Sequence, residues 1–478
     1  MIFILISHGK GVKVADKKEK KPKKSNFKKK LDISAVGIVD NIVYSKTDAW
    51  AYYKLTNRAF DFLTAEGQAS LMQRITLAFN NIANDRNDSI ELHLICTSVP
   101  VDIDSWAQQI EMISEDWNRA PGYSQYMNSV VRFLKDESYT QKMIYLGVHL
   151  GKRGALDMDN LNIFNAGWEA ALETAKEWFN RVLDTPDEEI TESEEKEFRR
   201  KSDDYFRSLS GGILAAKKAT AEELLLLIKR QLYPWMPAPY LEVEHGERIG
   251  PGDIAIETGS VIEKNYRYLK INQMIGEHEA VGYRATLSMT KFPRIMDYPG
   301  RIPYFYMIQK MGLPFTTFAR MELHPAKKMQ AELEKKKKEQ RDELENLAGG
   351  MDSLDSQISG IPANVREALE DSQMLGDMLN EDKSAWVEGS YFIVVETPTL
   401  EHLKTFITDI KDQYTEWDIN INWTAGDQVP LFLSQMPGDK RRMTSFDQTT
   451  NLAMIAASGF NFSSDVGDPL MSQEKEHN

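Results

Sequence analysis

Apolar residues in this chain come in short runs, and run length is what most limits the fold. "SIELHLICTSVPV" reads as a buried strand, and "QKMIYLGVHLGKR" and "SYFIVVETP" as further strands. Between them lie stretches with helical spacing, such as "AEGQASLMQRITLAFNNIAN", with Leu71, Ile75 and Phe79 on one face. No run approaches the roughly 18 to 20 apolar residues that a membrane-crossing helix needs. A chain built this way buries strands under amphipathic helices. The expected class is α+β, with mixed or antiparallel sheets covered by helices.

The 478 residues suffice for two to four domains at about 150 residues each. The first 31 residues are expected as a basic, disordered tail. "MIFILIS" lacks the basic flank and length of a signal peptide, and the Lys run Lys17–Lys30 follows it. Gly9, Lys10 and Gly11 would have purine-rich codons resembling a ribosome-binding site, so Val14 is an expected start. The lysines suit a solvated tail, or attraction to DNA or an anionic lipid surface. The net charge of -14 argues against a general nucleic-acid coat while leaving room for a local basic patch.

An α+β subdomain is expected over 32–162. It begins with short strands in "AVGIVDNIVYSKTDAWAYYKL", where Asp40-Asn41 supplies the turn and Trp50, Tyr52 and Leu55 are apolar strand residues. "SWAQQIEMISEDW" and "SQYMNSVVRFLKD" add helical pieces. A helical region and Pro-rich connector follow over 163–240, and residues 163–230 are expected to protrude. Its helix "TAEELLLLIKRQL" opens with a capping box, Thr220 with Glu223, and stops at Pro234, Pro237 and Pro239. A second α+β subdomain is expected over 241–436. It contains a short helix at Tyr304–Lys310 and a long charged helix at 326–348, with Glu332 and Glu334 four residues before Lys336 and Lys338. Residues 437–478 read as a linker. The order strand, helical pieces, strand occurs twice, from "IELHLICTSV" to "MIYLGVHL" and from "FTTFARMEL" to "YFIVVET", which suggests a structural duplication.

The search for chemistry ends mostly in exclusions. Gly-Lys occurs at Gly9-Lys10 and Gly151-Lys152, followed by Gly11 and Arg153, so no phosphate-cradling P-loop is present. The single cysteine, Cys96, lies in a strand and reads as a buried thiol. No two of the eight histidines lie at metal-ligand spacing. Asp157 and Asp159 start like a calcium loop that fails at Leu161 and Asn162. "EEITESEEKEF" is an acidic helix start. Tyr233, Trp235 and Tyr240 could stack bases but suit packing in a connector. No catalytic, cofactor-binding or metal residue is assigned.

"SYFIVVETPTLEHLKTFITDIKDQY", "QVPLFLSQMPGDKR" and "NLAMIAASGFNFSSDVGDP", with the earlier "DAWAYYKLTNRAFDFLTAEGQASLMQRI", resemble the large ATPases of conjugative type IV secretion systems in Gram-positive elements. The similarity runs in order from Ile33 to Pro469. It implies an N-terminal docking and assembly domain that meets channel components at the cytoplasmic membrane face. It also implies a RecA-like motor domain that binds ATP and Mg and assembles as a hexamer. No residue here matches the family's P-loop or its acidic motif. The reading therefore expects an interruption near Asp468-Pro469, no ATP hydrolysis by this chain, and disorder over Met471–Asn478. The alternative is a stand-alone adaptor that holds DNA or the membrane surface through Lys17–Lys30.

Overall fold

The computed structural model describes residues 34–85, 88–100, 121–136, 140–153, 190–232, 249–250, 261–275, 278–293, 303–311, 316–328 and 385–463, with short pieces at 3–6, 28–30, 103, 107–108, 110, 334–335 and 338. In chain order the first elements are β1 (Phe3–Ile6), β2 (Lys28–Lys30), β3 (Ala35–Val39), β4 (Ile42–Ser45), β5 (Asp48–Lys54), β6 (Arg58–Ala59) and α1 (Ala65–Asn84). Next come β7 (Ile90–Pro100), α2 (Tyr123–Asp136), β8 (Thr140–Lys152), α3 (Glu192–Ser210), β9 (Lys217–Lys218) and α4 (Ala221–Leu232). The later elements are β10 (Val261–Lys264), β11 (Leu269–Ile275), β12 (His278–Lys291), α5 (Tyr304–Lys310), β13 (Thr316–His324), β14 (Trp386–Thr397), α6 (Leu400–Thr415), β15 (Asn420–Trp423) and α7 (Gln428–Ser434). The chain closes with β16 (Gln448–Asn451), α8 (Leu452–Ala457) and β17 (Phe462–Ser463).

Nearly all described strands join one large, mainly antiparallel sheet, ordered β2-β1-β10-β11-β12-β14-β13-β7-β8-β5-β4-β3. Apart from β2 and β1 at one edge, the order is a palindrome of two five-strand units. Each has a three-strand meander, a helix, an inner strand, and then a strand inserted between the meander and that inner strand. Each unit then adds a helix, a short strand on the meander's third strand, and a last helix. In the first unit these are β3-β4-β5, α1, β7, β8, α3, β9 on β5, and α4. In the second they are β10-β11-β12, α5, β13, β14, α6, β15 on β12, and α7. The inner strands β7 and β13 pair antiparallel, from Thr97 opposite Thr316 to Ile90 opposite Leu323, so the units meet head to head as one surface. The echo read in the sequence is a topological duplication without residue similarity, because strand period and loop placement suffice to set such an order.

Strand alternation sorts the side chains. Leu92, Leu94 and Cys96, with Leu146, Val148, Met321, Ile393 and Leu287, pack under α1, α3, α5, α6 and α8. Trp50, Tyr52, Ile95 and Tyr145 face the other way, onto α4 and the Phe432 to Met436 segment. α4 touches β3, and its last turn reaches Arg284 on β12. Flat, those strands would lie about 34 Å apart at ~4.8 Å per step, whereas a 12-residue helix spans about 18 Å. The sheet therefore curves around this second face.

Helix starts follow local chemistry. Thr64 accepts from the Gly67 N–H, Thr191 and Glu194 close a capping box, and Thr220 and Glu223 form the expected one at 3.1 and 3.2 Å. One expectation is corrected. The described part of the 163–230 helical region does not protrude. Phe198, Tyr205 and Leu209 of α3 are buried, as are Leu224, Leu225 and Ile228 of α4, because the heavy charge lies on the outer faces only. The two ends of the expected basic tail are strands, β1 pairing parallel with β10 and antiparallel with β2. Asp157, Asp159, Tyr233, Trp235, Tyr240, the Glu332 and Lys336 pair, most of the 326–348 helix, and residues 464–478 lie outside the described residues. Among those described, no helix is long and apolar enough to cross a membrane.

Candidate functional site

The curved face buries two arginines, and what they hold is the segment after α7. Arg320 projects from β13 and is 1% exposed. Its Nε donates to the Ser434 carbonyl at 2.8 Å and its Nη2 to the Met436 carbonyl at 3.2 Å. Its guanidinium also lies over the Trp50 ring, 5.1 Å from the centroid. Arg284, from β12, donates to the Gln231 carbonyl at 3.0 Å, to Gln231 Oε1 at 2.6 Å, and to Gln435 Oε1. It pairs with Glu396 at 3.0 Å and sits 4.8 Å over the Phe432 ring. Gln231 and Gln435 end α4 and α7, the matching last helices of the two units, so one arginine ties both. Burial pulls both guanidinium pKa values down from the usual range.

Beyond α7, Gly438 N donates to Tyr52 Oη at 2.9 Å. Gly438 has φ +79, and a Cβ there would come within 2.5 Å of Val43 Cγ1, so both backbone and space demand glycine. Tyr52 Oη also meets His93 Nδ1 at 3.1 Å. Burial, then the nearby Arg320, holds the His93 pKa well below its ordinary value, so the ring is neutral. Asp439 accepts from Ser34 at 2.7 Å and from Arg442 at 2.7 and 2.9 Å. Arg441 reaches Glu322 at 3.3 Å and the Glu388 carbonyl at 3.2 Å, and also meets Asp447.

The same segment then crosses to the opposite face. β16 pairs with the start of β14, and α8 packs on α1. "GFNF" enters a socket of both units. Phe462 stacks on Phe60 at 4.2 Å, and Phe460 meets Phe79 edge-on at 6.0 Å. The Phe462 carbonyl accepts from Lys142 at 2.7 Å and Gln309 at 3.1 Å, and the Asn461 carbonyl from Arg58 N at 2.7 Å. Residues 428–463 are thus a clamp across both faces. The arrangement binds the protein's own backbone. Its two buried arginines are spent on backbone carbonyls, on the Gln231 and Gln435 amides and on the Glu396 ion pair.

Cys96 is fully buried and burial pushes its thiol up to about 11, as expected of a packing thiol. His93 and His324 are buried; His149 pairs with Asp48 at 3.0 Å, and no group of three or more His, Cys, Asp or Glu among the described residues is placed to hold a metal. The sequence reading singled out "LFLSQMPG" by resemblance only. It gave no role to Arg284, Arg320 or Gly438, because lone arginines in strands carry no local signal. No model of a known protein family matches the chain, and no curated protein matches its sequence.

Proposed function

We propose that this chain is the docking and assembly part of a type IV secretion ATPase of the conjugal transfer kind. The reading rests on the segments that resemble that family in order. One observation carries it: the stretch resembling the family's approach to its motor, residues 428–463, is the clamp that binds both units on both faces. A part that must pass position or force to a motor needs its exit segment fixed to its body, and buried arginine and aromatic contacts do that. On this reading the chain sits peripherally at the cytoplasmic face of the bacterial membrane, meets channel components there, and assembles with copies of itself as a ring. ATP and Mg belong to the motor, for which the 478 residues supply no P-loop.

The test is affinity capture of the tagged chain from cells carrying the cognate conjugation system. The expected result is co-purified channel components, with no ATP hydrolysis by the purified chain alone. Recovery of no channel component, or turnover of ATP by this chain, would overturn the proposal.

A further inference from the structure

The two meanders end differently at their first hairpin. In the first unit, β3 and β4 join through the tight Asp40-Asn41 turn, and α3 covers it: Arg199 pairs with Asp40 at 2.6 Å and the Asn41 amide donates to Ser202 at 3.1 Å. In the second unit, β10 and β11 join through Asn265–Tyr268, and this tip is open. Three of its carbonyls are held. The Tyr266 carbonyl accepts from Gly426 N at 2.6 Å, the Arg267 carbonyl from Trp423 Nε1 at 2.6 Å, and the Tyr268 carbonyl from Asn265 N at 3.0 Å. The Tyr266 side chain is nevertheless 72% exposed, the most exposed large apolar group among the described residues. Beside it the exposed Arg267 guanidinium lies 5.5 Å over the half-buried Trp423 ring, and Tyr268 meets Tyr283 edge-on at 5.8 Å. The neighbouring Glu263 carboxylate is engaged by Lys270 at 3.4 Å and Asn272 at 3.1 Å, and Asp427 follows Gly426 in the supporting loop. Strand pairing also lays the lysine strand β2 on this edge. Lys264, at the tip end of β10, is opposite Ile6, and Lys28 is opposite Leu5.

We propose that this hairpin tip is a stacking site for single-stranded nucleic acid. Tyr266 takes an unpaired base on its open face, and Arg267 and Lys264 meet the flanking phosphates. A rigid backbone with a free aromatic face loses little entropy on binding, which favours stacking on a planar base. A lipid surface could use the same basic and aromatic groups, and the vesicle arm of the test below separates the two. The site is independent of the docking role.

Fluorescence anisotropy with a labelled oligothymidylate tests it. Wild-type protein is expected to bind with a steep salt dependence, and to bind the single strand more tightly than a duplex of equal length. Tyr266→Ala should weaken binding about tenfold with an unchanged melting temperature, while Tyr266→Trp retains it. Replacing Lys264 and Arg267 by Gln should flatten the salt slope. No binding by the wild type, equal affinity for duplex, an unaffected Tyr266→Ala variant, an unchanged slope, or binding to phosphatidylserine vesicles without binding to oligonucleotide would each overturn the proposal.

Discussion

The two units share one chain path but divide the work of holding each other. Unit two sends arginines across the curved face, where Arg284 reaches Gln231 of unit one and Arg320 lies over Trp50. Unit one sends Lys142 and the Arg58 amide back, on the opposite face, to the carbonyls of Phe462 and Asn461. At the joint itself most facing residues are alike, Thr97 opposite Thr316 and Glu91 opposite Glu322, but neutral His93 lies opposite charged Arg320. A duplicated topology can thus be kept while the side chains diverge into complementary roles. Backbone order needs only pattern, but a seam needs specific partners.

The largest effect should come from breaking that asymmetry. Arg320→Met strands the Ser434 and Met436 carbonyls in the core and should cost about 3 to 5 kcal/mol in urea unfolding, whereas His93→Met, opposite it, should cost only about 1 to 2. Equal losses would show that the halves contribute alike. Phe462→Ala tests the other face, and emptying the ring's place against Phe60 should cost about 3 to 4 kcal/mol. Gly438→Ala should cost about 2 kcal/mol through its positive φ and the clash with Val43, and Val43→Ala should return part of that in the double variant, which a strained backbone alone would not allow. Smaller still is an effect of pH confined to unit one. Burial would raise the Asp48 carboxyl, but hydrogen bonds from His149 and Thr47 outweigh it and hold it below the usual range. As pH falls, the unfolded chain takes up that proton first, so this stability is present above the ordinary carboxylate pKa and is lost as pH drops through the depressed folded value. Asp48→Asn should flatten the acid limb of a stability-against-pH curve. Cys96 should resist alkylation in the native state at neutral pH because burial pushes its thiol up to about 11.

Much of the fold was legible residue by residue. The apolar spacing at Leu71, Ile75 and Phe79 gave α1, the Thr220 and Glu223 pair gave the start of α4, and Tyr304–Lys310 appeared as the short helix expected there. Each of these is written within a turn or two of chain, where periodicity and capping act. The supposed protrusion failed because charge density counts residues without saying which face they occupy; α3 is highly charged and still buries Phe198, Ser202, Tyr205 and Leu209. The open tip at Tyr266 was also missed, since "NYRY" looks like any strand with aromatics until its covered counterpart at Asp40-Asn41 is seen.

By itself, the sequence determined which segments are strands and which are helices, that the strand units repeat, and that no P-loop lies within these 478 residues. Those properties depend on neighbours close along the chain. The tertiary structure alone decided that the repeats join into one curved sheet, that two arginines are buried, and that residues 428–463 close over both faces. The contacts responsible join Tyr52 to Gly438 and Ser34 to Asp439, 386 and 405 positions apart, and no local pattern encodes a hydrogen bond across that separation.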